Sequence, residues 1–225
     1  MARLSLKLAT ALIAVAMATP SLAADIVRPA YKAPAYIAPA FTWTGFYVGI
    51  NGGYGWGTSN WTSGVTTGSP KPKGGLIGGT IGYNLQTGVW VWGLEGDFDA
   101  SFIDGTAIGT GACAGVGCET KNTWLATGRG RLGYAFDRFL PFVTGGAAFG
   151  TIKMTPASGL SETDTKIGWT AGAGLEYAFT GSLSTKIEYL YADLGKTTCE
   201  AATCGVATDV SYKTNIVRAG INYRF

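Results

Sequence analysis

The end of the chain alternates between apolar and polar side chains. From Val217 to Phe225 one parity is apolar at every position, whereas the other carries Arg218 and Arg224. A repeat of two residues is typical of a β-strand with one apolar face and one polar face. The chain therefore ends on a strand that separates an apolar environment from a polar one.

Seven earlier segments share this alternation. They predict strands over residues 45–57, 75–85, 89–102, 122–136, 139–151, 166–179 and 183–194. Long connections lie near 58–74, 103–121, 152–165 and 195–209, and short ones lie at 86–88, 137–138 and 180–182. Large outer loops that alternate with tight periplasmic turns are typical of bacterial outer-membrane barrels. The sequence predicts an all-β fold, an eight-stranded antiparallel up-and-down transmembrane β-barrel, over residues 44–225.

The polar parity of these strands carries a set of charges that we predict to form an ion network in the lumen. The set is Glu95, Asp97, Asp99, Arg129, Arg131, Glu176, Lys186, Glu188, Arg218 and Arg224. An Arg or Lys that faces lipid at mid-membrane costs about 2–4 kcal/mol, so these charges belong inside. The alternative is the solvated face of a soluble sheet. It would leave the aromatic parity as a large apolar patch in water, whereas in a membrane these rings form interfacial girdles.

The third and fourth predicted strands form a hairpin that should bring opposite charges together. We predict a register that sets Asp97 beside Arg129 and Glu95 beside Arg131. Side chains on one face of neighbouring strands lie close enough for such pairs.

The N-terminus predicts export. Arg3 and Lys7 precede an apolar run over residues 8–18 that is too short to span a membrane, so residues 1–23 are predicted as a signal peptide. Cleavage after Ala24 is the near alternative. Removing the signal lowers the net charge from +3 to +1, which leaves no basic bias toward nucleic acid. The Pro/Ala-rich residues 24–43 are predicted as a periplasmic tail, with a tether or partner contact as the alternative.

Four cysteines form two close pairs in predicted outer loops, namely Cys113 with Cys118 and Cys199 with Cys204. In an exported protein they predict two disulfides, and local pairing is favoured among the three possible connectivities. Zinc is the alternative, but the chain has no His. No catalytic, metal or cofactor site is predicted.

Several motifs resemble the small major outer-membrane proteins of alphaproteobacteria such as brucellae and rhizobia, within the OmpA/opacity-like barrel superfamily. The matching stretches are residues 43–49, 78–84, 88–97, 129–134 and 186–191, together with the final Phe225. The terminal Ile221, Tyr223 and Phe225 resemble the assembly signal of such barrels. The resemblance implies an eight-stranded outer-membrane barrel, often described as porin-like, with links to envelope integrity, host contact and, in some members, haemin binding. Without His, haemin binding is not carried over.

Three functions remain open. The protein could be a structural barrel that supports the envelope and presents surface loops. Alternatively it could be a small channel for ions or solutes, or a loop-mediated adhesin or ligand-binding protein. An enzyme is disfavoured because the usual general base, His, is missing. Expected partners are outer-membrane lipid and lipopolysaccharide, the barrel-assembly machinery and a host or surface ligand at the outer loops; the expected location is the outer membrane of a Gram-negative bacterium.

Overall fold

The computed structural model describes residues 41–110, 113–115, 117–156, 159–204 and 207–225. The predicted signal peptide, residues 1–23, and nearly all of the segment 24–43 lie outside these residues. The elements are β1 (Gly45–Ser63), β2 (Val65–Gly68), β3 (Lys73–Thr87), β4 (Trp90–Ala107), β5 (Cys118–Tyr134), β6 (Phe139–Thr155), β7 (Glu162–Ala178), β8 (Leu183–Cys199), α1 (Ala201–Cys204) and β9 (Thr208–Arg224). In the described part of the chain, no helix has the length and the apolar character that are needed to cross a membrane.

Eight of these strands close into a ring. Each of β1 and β3–β9 pairs antiparallel with its neighbour along the chain, and β9 returns to pair with β1 from Tyr47↔Arg224 to Thr62↔Asp209. The short β2 folds back on the outer end of β1. The predicted eight-stranded antiparallel barrel is confirmed. Within the ring of β1 and β3–β9, closure leaves no edge strand, which is the condition for a sheet to exist in lipid.

The two parities face opposite environments, as the alternation predicts. On β1, Ile50 is 71% exposed while its neighbour Asn51 is 4% exposed; on β4, Leu94 is 73% exposed beside Glu95 at 3%. Apolar side chains this exposed would form a large patch in water, so the outer wall fits lipid.

Aromatic rings concentrate at both ends of this apolar wall. At the end with tight turns, rings of neighbouring residues touch, as in Trp90 with Tyr134 and Tyr177 with Phe179. Near the other end Phe98 stacks on Trp124 with centroids 5.8 Å apart. These rings occupy the positions of membrane-interface girdles. The end with the longer connections is the extracellular end, because outer-membrane barrels have short periplasmic turns and longer extracellular loops.

The strands continue beyond the segments that the sequence predicted. β1 runs to Ser63 instead of residue 57, and β8 runs to Cys199 instead of residue 194. Much of each predicted long connection is thus paired strand. The alternation of apolar outward and polar inward residues ends at the membrane surface, whereas the backbone pairing of the strands continues above it. The true outer loops are short, and two of them contain the disulfides Cys113–Cys118 and Cys199–Cys204.

The interior of the barrel has three layers. A small apolar cluster closes the periplasmic mouth, a charged layer fills the middle, and a larger apolar cluster fills the outer part. The periplasmic cluster contains Trp43, Val91, Ala135, Leu140 and Ala178. The outer cluster includes Leu76, Ile103, Leu125, Ile152, Leu194, Ile216 and the four disulfide-bonded cysteines. The sequence predicted the charged layer but did not predict the apolar outer layer.

A substitution at Gly53 tests how tightly side chains fill the interior of the barrel. An added Cβ at Gly53 would lie 2.4 Å from the carbonyl oxygen of Val217 and 2.6 Å from the Cβ of Arg218. Gly53→Ala should therefore destabilise the barrel by about 1–3 kcal/mol, the usual cost of overpacking. The measurement is the temperature at which the folded band is lost in unheated versus heated gel samples.

Gly128→Ala is the matched control, because an added Cβ there meets no atom within 4 Å. It should unfold at the temperature of the unmodified protein. Equal unfolding temperatures for both variants would contradict a filled interior.

Candidate functional site

The middle layer contains nine charged side chains, each at most 6% exposed. They are Glu95, Asp97, Asp99, Arg129, Arg131, Glu176, Lys186, Glu188 and Arg218. They come from β4, β5, β7, β8 and β9, and they meet because each lies on the inward parity of its strand at the same height. We call this set the ion network.

Arg129 is one centre of the ion network. Its guanidinium contacts Glu95, lies 2.7 Å from Asp97 Oδ2 and donates to Glu188 Oε1 over 2.5 Å. It also donates to the hydroxyl of Thr144 over 3.1 Å. One cation on β5 thus joins two acids of the neighbouring β4 to one acid of β8 across the lumen.

Arg218 is the second centre. Its guanidinium nitrogens lie 2.6 Å from Asp97 Oδ1, 3.0 Å from Asp99 Oδ2 and 2.9 Å from Glu188 Oε2. Asp97 and Glu188 are therefore shared between the two arginines. A planar guanidinium with five N–H donors suits such multiple contacts.

The remaining members extend the ion network toward the periplasm. Lys186 Nζ lies 2.8 Å from Glu95 Oε2, which also accepts from the Tyr47 hydroxyl over 2.7 Å. Arg131 pairs with Glu176 and stacks on the ring of Phe142, with its guanidinium carbon 3.8 Å from the centroid. Each charge of the ion network thus has an opposite charge within hydrogen-bond distance.

Neutral polar side chains add further hydrogen bonds to the acids of the ion network. Ser184 and Asn222 both donate to Glu176, and Thr127 donates to Asp97. The sequence analysis did not single these residues out. The sequence feature that could have identified them is their position: they lie on the inward-facing parity of their strands, as the charged residues do. A buried charge needs such partners because unmet hydrogen bonds are costly in a low dielectric.

The predicted pairing between β4 and β5 is wrong by two residues. Glu95 lies opposite Arg129, Asp97 lies opposite Thr127, and Arg131 lies opposite Gly93. A β-bulge between Ala100 and Ile103 changes the register of this hairpin. Asp97 still reaches Arg129, but diagonally, whereas the ion-pair partner of Arg131 is Glu176 on β7.

Arg224 was predicted to belong to the charged lumen, and the structure places it elsewhere. Its guanidinium lies over the rings of Phe41 and Trp43, 4.8 Å and 5.4 Å from their centroids, and donates to the carbonyl of Gly181. The Trp43 indole in turn donates to the carbonyl of Asp137 over 2.9 Å. Arg224 therefore belongs to the closure of the periplasmic mouth, where the chain enters the barrel.

A smaller ion pair lies at the outer end, above the membrane-spanning part. Asp164 Oδ2 is 2.7 Å from Lys166 Nζ and accepts from the Thr197 hydroxyl over 2.6 Å. These hydrogen bonds, that of Lys166 first, hold the pKa of Asp164 below its ordinary value. The contact to Thr197 ties β7 to β8 above the lipid.

Comparison with known proteins agrees with this architecture. A family model described as the outer membrane protein beta-barrel domain matches residues 9–225. The chain belongs to this family. Relatives named as outer-membrane proteins match between 82% and 95% of this chain, and the predicted location in the outer membrane is confirmed.

Three relatives illustrate the similarity. The chain is 40% identical to the 31 kDa outer-membrane immunogenic protein of Brucella melitensis, over 95% of this chain and 97% of the relative. It is 33% identical to the 25 kDa outer-membrane immunogenic protein of Brucella abortus, over 91% of each. It is 33% identical to the 22 kDa outer membrane protein of Rhizobium leguminosarum, over 82% of this chain and 79% of the relative. The predicted resemblance to alphaproteobacterial outer-membrane proteins is confirmed.

Solved structures show the same fold at low sequence identity. The chain superposes on the outer membrane protein OprG of Pseudomonas aeruginosa with a TM-score of 0.51 and 15% identity, over 81% of this chain and 96% of that one. It superposes on the outer membrane protease OmpT of Escherichia coli with a TM-score of 0.52 and 10% identity, over 84% and 99%. These likenesses concern the fold alone.

Arg129→Met tests the ion network. The variant removes the cation that contacts Glu95, Asp97 and Glu188 and leaves their charges buried. The free energy of unfolding should fall by about 3–5 kcal/mol, the usual cost of breaking a buried pair. The measurement is urea unfolding of the barrel in lipid vesicles.

Two further variants control this experiment. Arg129→Met/Glu188→Gln should regain part of the loss, because one uncompensated acid is removed. Lys213→Met breaks an ion pair with Asp193 on the outer wall and should leave the urea midpoint unchanged. If Lys213→Met were as destabilising as Arg129→Met, the importance of burial would be refuted.

Proposed function

We propose that the protein is a structural, non-conducting barrel that supports the outer membrane and presents short disulfide-closed loops at the cell surface. The observation that carries this proposal is the closed interior. An ion that entered from the periplasm would meet the cluster around Trp43 and Leu140, and one that entered from outside would meet the cluster around Ile103 and Ile152. Both clusters would have to open before a charge could pass.

The ion network itself argues against a channel. Its members pair with opposite charges at hydrogen-bond distance, so a permeating ion would have to displace contacts such as that of Arg218 with Asp97. Eight strands enclose an interior that side chains can fill, whereas porins that hold an aqueous channel use 16 or more. The same mutual pairing, in a chain that has no His, supports a role other than catalysis.

Planar-bilayer recording tests the closed interior. Protein extracted from the outer membrane should add no stepwise current above the protein-free baseline, because apolar layers bound the ion network at both ends. A trimeric porin in the same bilayer is the positive control. Reproducible unit currents that scale with the amount of protein would refute the proposal and favour a small channel.

A second candidate function is contact with a host surface or ligand through the outer loops. The observation that favours it is apolar exposure at the extracellular end, where Ile108 is 76% and Leu160 is 59% exposed. Two disulfides at the same end join Cys113 to Cys118 and Cys199 to Cys204. The brucella relatives are named immunogenic proteins, which fits loops that are accessible from outside.

The C-terminal strand is proposed to contact the barrel-assembly machinery through Ile221, Tyr223 and Phe225. In the folded barrel the Phe225 backbone N–H donates to the Phe46 carbonyl over 2.9 Å. The Phe225 ring itself is 76% exposed in the folded barrel, so packing inside the protein does not account for an aromatic residue there. Deleting Phe225 should therefore abolish most outer-membrane insertion, measured as folded protein in isolated outer membranes.

Phe179→Ala is the control for this deletion. Phe179 also faces outward near the periplasmic end, and it is 55% exposed, but it does not end the chain. It should insert normally. If deletion of Phe225 had no larger effect than Phe179→Ala, the terminal residues would have no signal role.

A further inference from the structure

The ion network contains one more acid than it contains cations. Its acids are Glu95, Asp97, Asp99, Glu176 and Glu188, and its cations are Arg129, Arg131, Lys186 and Arg218. If all nine side chains were ionised, five negative charges against four positive ones would leave a net charge of −1 in the middle of the barrel. A buried carboxylate whose charge is not compensated ordinarily becomes neutral by taking up a proton.

The described part of the chain supplies no fifth cation to this layer. Every ion pair that the five acids form is made with one of the four cations of the ion network. Lys166 also lies on an inward parity, but at the outer end, where it pairs with Asp164. Arg224 lies six residues beyond Arg218 on β9, which is about 20 Å along the strand, and it donates to the carbonyl of Gly181.

Asp99 is the acid with the fewest partners. Its Oδ2 lies 3.0 Å from Arg218 Nη1, but this arginine also contacts Asp97 and Glu188. Its Oδ1 is buried and accepts no hydrogen bond from the described part of the chain. In each of the other four acids, both carboxylate oxygens accept hydrogen bonds. The surplus negative charge therefore falls on Asp99.

The unmatched oxygen of Asp99 lies above Gly78 of β3. Gly78 is opposite Asp99 on one side and opposite Asn51 on the other, and an added Cβ at Gly78 would lie 2.1 Å from Asp99 Oδ1. The Asn51 side chain lies beside this carboxyl group, and its amide donates to Thr80 over 3.1 Å. Asn51 Oδ1 and the hydroxyl of Ser101, the next inward residue of β4, are buried without a partner. The space around Asp99 thus lacks a donor and has acceptors to spare.

The charged groups that face Asp99 come from three strands. Asp97 precedes it on the inward face of β4 and adds negative charge. Arg218 of β9 contacts it, and Arg129 of β5 acts on it from further away. The neighbouring residues of β1 and β3 are neutral, namely Asn51, Gly78 and Thr80. Ionised Asp99 would therefore stand beside ionised Asp97 and share Arg218 with it, and a neighbouring like charge disfavours ionisation.

We propose that Asp99 is a proton-binding site inside the barrel and that its carboxyl group holds a proton at neutral pH. The proton brings the net charge of the ion network to zero. It also supplies a donor in a space where Asn51 Oδ1 and Ser101 Oγ are unmatched acceptors. Asp99 keeps its contact with Arg218 through Oδ2. Folding of the barrel therefore takes up one proton from water at this residue, and unfolding releases it.

This site goes beyond the proposed structural role, because it couples the stability of the barrel to the binding of a proton. It depends on the composition of the charged layer and not on the apolar clusters at either end. A conductance experiment of either outcome leaves it standing, and its failure leaves the closed interior untouched.

Infrared spectroscopy of the full exported protein in lipid vesicles at neutral pH tests the proton directly. A protonated carboxyl group has a carbonyl band that is separate from those of carboxylates and amides. The unmodified protein should show this band. The band should shift when the side-chain carboxyl groups of aspartate are labelled with carbon-13, and it should be lost in Asp99→Asn.

The labelled, unmodified protein gives an answer that no folding defect of a variant can affect. A spectrum without a protonated aspartate band would overturn the proposal. A band that persists in Asp99→Asn would assign the proton to another residue and would also overturn it. Retained heat-modifiable mobility verifies the fold of the variant.

Urea unfolding in vesicles at several pH values tests the coupling. An aspartate in the unfolded chain loses its proton near about pH 4, whereas folded Asp99 keeps it, so a rise in pH favours unfolding. Relative to Asp99→Asn, the unfolding equilibrium constant of the unmodified protein should rise by up to about tenfold per unit between about pH 5 and pH 7. No relative change over this range, or a relative loss of stability on acidification, would show an ionised Asp99.

Asp97→Asn is the matched control, because Asp97 is the same residue type on the same face of β4 and contacts both Arg129 and Arg218. It should lower the urea midpoint throughout this pH range, since two arginines lose a charged partner. Asp99→Asn should leave the midpoint at about pH 5 nearly unchanged, because a neutral amide replaces a neutral acid. Equal destabilisation by both variants at this pH would make Asp99 an ordinary charged partner and overturn the proposal.

A trapped metal cation is the alternative source of the fifth positive charge. Replacing sodium by a bulky organic cation at constant ionic strength should leave the urea midpoint of the unmodified protein unchanged. A midpoint that falls without sodium, together with a missing infrared band, would assign the charge to a metal ion and overturn the proton.

Discussion

Closing eight strands leaves an interior that only side chains can fill, and the rest of the structure depends on this limit. Charges placed there have little water to screen them, so each needs an opposite charge at hydrogen-bond distance. Arg129 and Arg218 meet this need by sharing Asp97 and Glu188. Glycines such as Gly53 face the same space and leave room for the long side chains. The apolar layers above and below then separate the ion network from both aqueous sides.

Much of this arrangement could be predicted from alternation alone. A slip of one residue would move every side chain to the other face, so the pattern determines which residues point inward. A slip of two residues leaves every side chain on its original face. The pattern therefore does not determine which residues of neighbouring strands lie opposite one another. This is why the inward position of Glu95 and Arg131 could be predicted while their partners could not. The bulge after Ala100, which changes the pairing of β4 with β5, depends on packing that a single strand does not reveal.

The alternation of apolar and polar residues does not predict the outer third of the interior. Near Phe102 and Ile103 both parities are apolar, because one residue faces lipid and the next faces the outer cluster. A run of this kind reads as the end of a strand, although the strand continues to Ala107. At Arg224 the alternation holds, but it does not give the height of the residue along the barrel. Its parity is that of the lumen, but its height at the periplasmic mouth brings it to Phe41 and Trp43, on a segment that shows no alternation.

Arg218 is carried by the last strand, yet two of its acidic partners, Asp97 and Asp99, lie on β4. Until β9 arrives, these acids lack one of their cations, and an uncompensated buried charge costs several kcal/mol. Completing the hydrogen-bonded ring therefore also supplies the fourth cation of an ion network that holds five acids. A chain that is shortened, or that docks its final strand out of register, leaves the five acids with three cations. The pairing of buried charges therefore stabilises a complete and correctly aligned barrel in lipid over a shortened or misaligned one.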